Sequence, residues 1–217
     1  INQSKIMNYD VIERSILHNS PQVSGGIDLF CNDQGFGNNK SFIEALHQKA
    51  LNPAISWTQK YLLEGSKKFI DMGGGSGVHS IFACKKNPGL SAVVCDRAPV
   101  LLHTDKYIKK YNVVNQVKTL ELDFWKSDLP NGDAIFWGDI FHDWKPESCQ
   151  ELADKSYKSL CNGGQILIHE MLFNANKTGP QLTAGYNMKM MLWTEGQQFS
   201  FDEIKDILSK SGFINVK

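Results

Sequence analysis

From Lys67 onward, short apolar runs alternate with amphipathic stretches, the pattern of a parallel sheet wrapped by helices. Lys68-Phe69-Ile70-Asp71 reads as a strand running into Gly73-Gly74-Gly75-Ser76-Gly77, and residues 78–86 read as the helix that follows. Residues 91–96 are β-branched and apolar, a second strand, after which Pro99 marks the start of a helix carrying Leu101, Leu102, Tyr107 and Ile108 on recurring turns. Residues 117–122 alternate as a third strand and residues 133–138 form a fourth. Pro146 opens a helix whose Leu152, Ala153, Tyr157 and Leu160 face inward before an Asn162-Gly163-Gly164 stop, and residues 165–170 give a fifth strand. Ser200-Phe201-Asp202-Glu203 is a capping box, Ile204, Ile207 and Leu208 form the buried stripe of the helix it starts, Gly212 ends that helix, and residues 213–216 begin a sixth strand.

Before Lys67 the pattern lacks strands. Residues 11–18 read as helical, residues 20–39 are rich in Gly, Asn and Ser and suit a linker or surface loop, and residues 41–63 suit one long helix or two. The expected organisation is a helical and linker segment over 1–66, followed over 67–217 by an α/β domain with a Rossmann-like, doubly wound, mostly parallel sheet.

Composition narrows the class. The chain has 217 residues, 41% hydrophobic, enough for a full core. Lys plus Arg number 23 and Asp plus Glu number 23, so no excess charge draws the chain to nucleic acid or a membrane surface. No apolar run approaches the roughly 18 residues of a membrane span, and the first residues lack the apolar core of a signal peptide, so a cytoplasmic protein is expected. The five cysteines (Cys31, Cys84, Cys95, Cys149, Cys161) have no C-x-x-C spacing, and His18, His103 and His169 have no spacing that builds a metal site. The chain does not begin with Met and stops at its sixth strand, so it reads as truncated at the C-terminus.

Candidate chemistry centres on the glycine loop. Between a strand and a helix, glycines let the backbone approach a ligand closely and adopt dihedrals that a side chain forbids. Asp96 ends the second strand 25 residues after Asp71, where an acidic side chain can accept from both hydroxyls of a ribose. The loop lacks the Lys-Ser/Thr ending of a triphosphate-binding loop, and Val78 is too large for the third glycine of a dinucleotide fingerprint. Asp71 would repel a pyrophosphate but suits the ammonium of an amino-acid moiety, so charge favours S-adenosylmethionine over a dinucleotide.

With these residues the chain resembles the S-adenosylmethionine-dependent small-molecule O-methyltransferases of the caffeic acid and hydroxyneurosporene O-methyltransferase type. Residues 69–77 look like that family's D-V-G-G-G-T-G loop, Asp96 falls at its ribose-binding acid, Asp123-Phe124 at the step beside adenine, and Phe141-His142-Asp143-Trp144 at its L-H-D-W. The resemblance runs from about Phe42 to the end of the chain. It implies a cofactor site of Asp71, Gly73, Gly75, Asp96, Asp123 and Phe124, and a metal-independent transfer to a hydroxyl of a small aromatic or polyketide-like acceptor. His142 would be the general base and Glu170 the carboxylate that orients it. Asp143, Trp144, Met188 and Met191 would shape the acceptor pocket, with Met190 and Trp193 on the same helix, and Phe42, Leu46 and His47 fall where the family's linker helix meets the acceptor. The family's N-terminal dimerisation domain is mostly lacking over 1–66, so any homodimer is expected to be weaker than in full-length relatives.

Two departures stand out. Gly138 and Asp139 replace a Lys and a Trp, and Gln198-Phe199-Ser200 stands where a second orienting acid would fall, leaving a base with one carboxylate that should be weaker. His79 and Ser76 are within reach of a cofactor carboxylate, although a solvent-facing place in the first helical turn is the expectation for His79. Alternatives left open are non-methylation chemistry on the same cofactor (hydroxylation, decarboxylation, rearrangement), a silent cofactor-binding module, and a nicotinamide-dependent oxidoreductase.

Overall fold

A computed structural model describes residues 8–23, 40–61 and 63–217. Cys31 and most of the polar stretch 20–39 lie outside the described residues. Contacts divide the chain into two compact units, one of residues 33–138 and 155–169, the other of residues 1–32, 139–154 and 170–217. Both are discontinuous in sequence.

The larger unit holds α1 (Lys40–Lys60), β1 (Lys68–Met72), α2 (Val78–Lys86), β2 (Ser91–Asp96), α3 (Ala98–Lys110), β3 (Val117–Glu121), β4 (Gly132–Gly138) and β5 (Leu160–His169). The five strands pair in the order β3-β2-β1-β4-β5, and every pairing is parallel. The order reverses between β1 and β4, which makes the carboxyl ends of those strands the place where a crevice for ligands opens in this class of sheet. Strands buried on both faces need continuous apolar runs. Phe69, Ile70 and Met72 of β1 and Ala134, Ile135, Phe136 and Trp137 of β4 are all buried accordingly. Trp57, Ile81, Leu90 and Leu101 from the helices and loops and Val94 of β2 share one core cluster with Phe69, Ala134 and Phe136, and Trp57 stacks on Phe136 at 5.3 Å between ring centroids.

The smaller unit holds α4 (Tyr9–His18), a single 3-10 turn (Phe141–Asp143), the first turns of α5 (Pro146–Ser159), α6 (Gln181–Trp193) and α7 (Phe201–Lys210). The expected capping box is formed: Ser200 Oγ accepts from Glu203 N at 3.3 Å while Glu203 Oε2 accepts from Ser200 N at 2.7 Å. Ile204, Ile207 and Leu208 are buried as their spacing predicts. A groove of about 430 Å³ between α5 and α7, lined by Gln150, Gln197, Phe199 and Ile207 among others, contains none of the expected site residues.

Two expectations are corrected. Residues 213–216 form no strand, because the Phe213 N–H closes the helix end on Leu208 O at 3.1 Å and Asn215 takes a left-handed φ of 57°. Asn162-Gly163-Gly164 is not a helix stop but part of β5, which already pairs with β4 through Gly132↔Leu160 and bulges before Ala134↔Gln165. No helix among the described residues is long and apolar enough to cross a membrane.

Candidate active site

In the larger unit the glycine loop leaves β1 at the topological switch. Gly73, Gly75 and Gly77 adopt positive φ (64°, 56° and 72°) that L side chains rarely take. A Cβ on Gly74 would lie 2.6 Å from Val94 and 2.8 Å from the Asp71 carboxyl carbon, whereas one on Gly75 would meet nothing within 4 Å. Position 74 is therefore glycine for lack of room. Gly75 has open space before it, as a backbone that must approach a ligand requires. The loop is tied down by Gly73 N to Cys95 O at 2.8 Å and by Thr104 Oγ1 to Gly75 O at 2.6 Å.

Asp71 is buried beneath this loop and accepts from Ser80 Oγ at 2.7 Å. Burial raises its pKa to about 7; the Ser80 hydrogen bonds oppose the shift and the Asp96 charge adds to it. Asp96, at the end of β2, accepts from Gly75 N at 2.8 Å through Oδ2 and from Arg97 N at 2.8 Å through Oδ1. Each oxygen retains a second lone pair for an outside donor. Burial raises the Asp96 pKa, against these two backbone bonds. Asp123 follows β3, whose end is held to β2 by Leu122 N to Asp96 O at 3.0 Å. Desolvation by itself would raise the Asp123 pKa, but the hydrogen bonds and charge of Lys126 and the N–H of Trp125 together outweigh it and hold the value below the ordinary carboxylate range. The Phe124 ring sets its edge against Trp137 at 5.4 Å. Asp71, Asp96 and Asp123 thus stand at or just beyond the carboxyl ends of three adjacent strands.

Two histidines take places the sequence did not give them. His79 is buried rather than solvent-facing, its Nδ1 accepting from Trp57 Nε1 at 2.9 Å, because the first turn of α2 packs under α1. His47 on α1 is buried against the loop: its Nδ1 lies 2.9 Å from Ser76 Oγ, its Nε2 lies 3.2 Å from Tyr111 OH, and its ring stacks on Tyr107 at 3.9 Å. Burial and then the Lys110 charge lower its pKa, so it is a neutral strut for the loop. The resemblance set His47 only where the family's linker helix meets the acceptor; its contact with Ser76 is visible in the fold alone.

The smaller unit carries an acid–base pair. Gly138 of β4 is paired with His169 of β5, and the chain leaves both strands at that level. The next residues, 139–143 and Glu170, therefore start side by side. His142, in the 3-10 turn, is 5% exposed and its Nδ1 lies 2.6 Å from Glu170 Oε2. Glu170 Oε1 accepts the backbone N–H groups of Ile140 and His142 at 3.1 and 3.2 Å, which fixes the carboxylate. Cys149 Sγ donates to Phe141 O at 3.2 Å beneath the turn. A carboxylate only accepts, so the Nδ1 proton belongs to this bond and Nε2 is the atom that can take another.

Burial by itself would lower the His142 pKa. The charge and hydrogen bond of Glu170, then the charges of Asp143 and Asp139, outweigh it and raise the value to about 9. Asp143 Oδ1 is 3.8 Å from Nε2. Asp139, held at a left-handed φ of 56°, offers a carboxylate oxygen within 4.8 Å of donor atoms of both His142 and Glu170. The expectation of a base served by one carboxylate is therefore corrected: three acids surround it, Glu170, Asp143 within the turn and Asp139 just before it. The same three groups, Asp139, His142 and Glu170, are close enough to share a cation. Glu170 already accepts three N–H donors, however, and the arrangement is that of a held proton.

The other expected residues lie on neighbouring elements of this unit. Trp144 closes the turn, its N–H bonded to Phe141 O at 3.1 Å, and is partly buried. On α6 the Met190 side chain is buried, whereas Met191 is partly exposed and Met188 is half exposed. Tyr186 of the same helix meets the His142 ring edge-on, 5.7 Å between ring centroids, a neighbour that the sequence did not single out. Gln198 is fully buried and makes no side-chain hydrogen bond, to His142 or any other group, among the described residues.

Residues 26–214 match a family model described as an O-methyltransferase domain. The chain is 30% identical over 179 residues to the 3-hydroxy-5-methyl-1-naphthoate 3-O-methyltransferase of Streptomyces sahachiroi, covering 82% of this chain and 52% of that protein. It is 32% identical over 143 residues to the acetylserotonin O-methyltransferase of Homo sapiens, covering 66% and 41%. Among solved structures, human N-acetylserotonin methyltransferase in complex with S-adenosylmethionine superposes with a TM-score of 0.84 at 24% identity, covering 95% of this chain and 61% of that one. An O-methyltransferase family 2 protein from Planctomyces limnophilus in complex with apigenin gives 0.75 at 26%, covering 79% and 54%. The chain spans about half the length of the curated relatives it matches.

Proposed function

The chain belongs to the O-methyltransferase domain family, and from that premise we propose that it transfers a methyl group from S-adenosylmethionine to a hydroxyl of a small aromatic or polyketide-like acceptor, with His142 as general base. The observation that carries the reading is the 2.6 Å contact between His142 Nδ1 and a Glu170 carboxylate that two backbone N–H groups hold in place.

The cradle of the larger unit fits the cofactor. Open space at Gly75 admits close approach, Asp96 keeps a lone pair on each oxygen for the two ribose hydroxyls, and Asp123 and Phe124 stand at the next strand end for the base. Gly73 gives the loop its turn, and the Asp71 charge beneath it favours a cationic ligand. When bound, S-adenosylmethionine supplies a methyl group on a positively charged sulfur. The protein's own work is to hold the acceptor oxygen, exclude water and remove its proton.

His142 Nε2 takes that proton as the methyl arrives, which avoids positive charge on oxygen. Glu170, Asp143 and Asp139 stabilise the imidazolium formed. With a pKa of about 9, roughly one imidazole in a hundred is free to act at pH 7 before the acceptor binds. Trp144, Asp143, Met188 and Met191 form the acceptor wall, where soft thioethers suit a flat ring.

The test is transfer of label from methyl-labelled S-adenosylmethionine to a panel of phenols, with mass analysis of the product. A product gaining one methyl group, lost in His142→Ala while S-adenosylhomocysteine still binds, supports the proposal. A product altered without a methyl group would favour the other chemistries of this fold, and full activity in His142→Ala would remove the base.

A further inference from the structure

The glycine loop spends nearly all of its backbone donors inside the protein. Gly73 N and Gly74 N donate to Cys95 O at 2.8 and 3.3 Å, Gly75 N donates to Asp96 Oδ2 at 2.8 Å, and Gly77 N closes the turn on Gly74 O at 2.8 Å. Among the described residues, only the N–H of Ser76 within this loop has no acceptor. An anion seated on the loop would therefore be met by Ser76, through its N–H and its hydroxyl, and by no glycine amide.

The direction of that hydroxyl is set from behind. Ser76 is 5% exposed, and its Oγ lies 2.9 Å from Nδ1 of His47, which is 1% exposed. His47 Nε2 lies 3.2 Å from Tyr111 OH, and the ring is clamped by its stack on Tyr107, with planes 17° apart. The neutral imidazole has one N–H and one lone pair, so two hydroxyls compete for a single acceptor. The phenol of Tyr111 is the more acidic, with an ordinary pKa of about 10, and is the better donor. Tyr111 O–H thus takes Nε2, the ring proton sits on Nδ1, and that proton is donated to Ser76 Oγ. The Ser76 proton is turned away from His47, and no other acceptor for it stands among the described residues. No proton moves along this chain; the three groups fix only which way each one points.

We infer that Ser76 holds the carboxylate of S-adenosylmethionine through its N–H and its O–H, and that His47 and Tyr111 are positioning residues that aim the hydroxyl. This rests on the reading of the glycine loop as the seat of that cofactor. Beside Ser76, the open space at Gly75 leaves room for the approach, while both polar groups of the Gly75 backbone are already engaged, the N–H by Asp96 and the C=O by Thr104 Oγ1. A carboxylate only accepts, and its two oxygens match the two donors of one serine. Hydrogen bonds to an ionised acceptor are about twice as strong as neutral ones, so aiming one hydroxyl correctly has a measurable effect on affinity.

Calorimetric titration with S-adenosylhomocysteine and with methylthioadenosine, which keeps the adenosine and the sulfur but lacks the carboxylate, tests this without turnover. Ser76→Ala and His47→Phe are expected to bind S-adenosylhomocysteine at least tenfold more weakly than the wild type does, and methylthioadenosine within twofold of it. Tyr111→Phe frees the imidazole lone pair for Ser76 and should weaken S-adenosylhomocysteine alone, by threefold or more. His47→Asn, whose amide N–H can replace Nδ1–H, should recover most of what His47→Phe loses. Circular dichroism melts accompany each titration, and should His47→Phe not fold, Tyr111→Phe decides by the same contrast. Undiminished S-adenosylhomocysteine binding in Ser76→Ala, or in both His47→Phe and Tyr111→Phe, would overturn the inference. An equal loss for the two ligands would do so as well, since it would mean that the cluster only supports the loop. Wild-type protein that binds neither ligand would strike the cofactor reading and this inference with it, whereas tight binding retained in the variants strikes the inference alone.

Discussion

His142 Nδ1 and Glu170 Oε2 stand 2.6 Å apart although 28 residues separate them, because the strands that precede them are paired at Gly138↔His169. Glu170 is fixed by the Ile140 and His142 N–H groups, so the carboxylate presets both the orientation and the tautomer of the ring. Glu170→Gln should keep the fold and lower kcat by about 10²-fold, within the usual range for disturbing a general base. Steady-state kinetics beside circular dichroism would show this; a variant of wild-type rate would mean that the pair has no catalytic role.

The pH dependence follows from the same group. His142 has a folded pKa of about 9 against an ordinary 6.5, so its paired, charged form stabilises the protein fully below pH 6.5, and that stabilisation is lost as pH rises through 9. Activity that needs the neutral imidazole runs the other way, with kcat/KM rising towards pH 9. Asp139→Asn removes one of the charges that raise the pKa and should move this limb to lower pH. A pH–rate profile of both proteins checks the shift, and coincident profiles would exclude Asp139 from the proton balance.

Asp71 should couple ligand charge to pH. Its folded pKa, about 7, lies above its unfolded value near 3.8, so the protonated side chain favours the fold below pH 3.8 and this advantage disappears between there and pH 7. A cationic ligand over the loop favours the ionised form. S-adenosylmethionine should therefore bind more tightly at pH 8 than at pH 6, with proton release. Asp71→Asn should melt higher than the wild type at pH 8 and lose this pH dependence of binding. Titration calorimetry in buffers of different ionisation enthalpy reads the released proton directly.

Neighbouring glycines should fail differently. At Gly74 a Cβ would press on Val94 and Asp71, and Gly74→Ala should destabilise the protein by about 1–3 kcal/mol. At Gly75 nothing opposes a Cβ except the positive φ, so Gly75→Ala should cost about 1–2 kcal/mol, remain folded, and lose most of its affinity for S-adenosylhomocysteine because the methyl group occupies the approach to the backbone. Thermal melts and calorimetry on the two variants separate these outcomes, and undiminished binding in Gly75→Ala would remove the loop from the ligand site.

Much of this protein is local, and what is local is legible in the chain. Alternation of apolar runs with amphipathic stretches determined five parallel strands and their helices, the strand-to-helix position of the glycine loop, and the Ser200–Glu203 cap, since each depends on side-chain periodicity or on a hydrogen bond spanning three residues. The sixth strand failed because a helix-ending bond at Phe213 and a left-handed Asn215 compete with extension, and neither is visible as hydropathy. Motif order was enough to single out His142, Glu170, Asp71 and Asp96. It was not enough to set their chemistry. Which acids crowd His142, that His47 props Ser76, that His79 is buried and that the Gln198 side chain finds no hydrogen-bond partner among the described residues all depend on which strand ends are neighbours and which faces are shut off from water. Proton affinity and hydrogen-bond satisfaction are set by distance and burial, quantities that exist only once residues remote in sequence have been packed together.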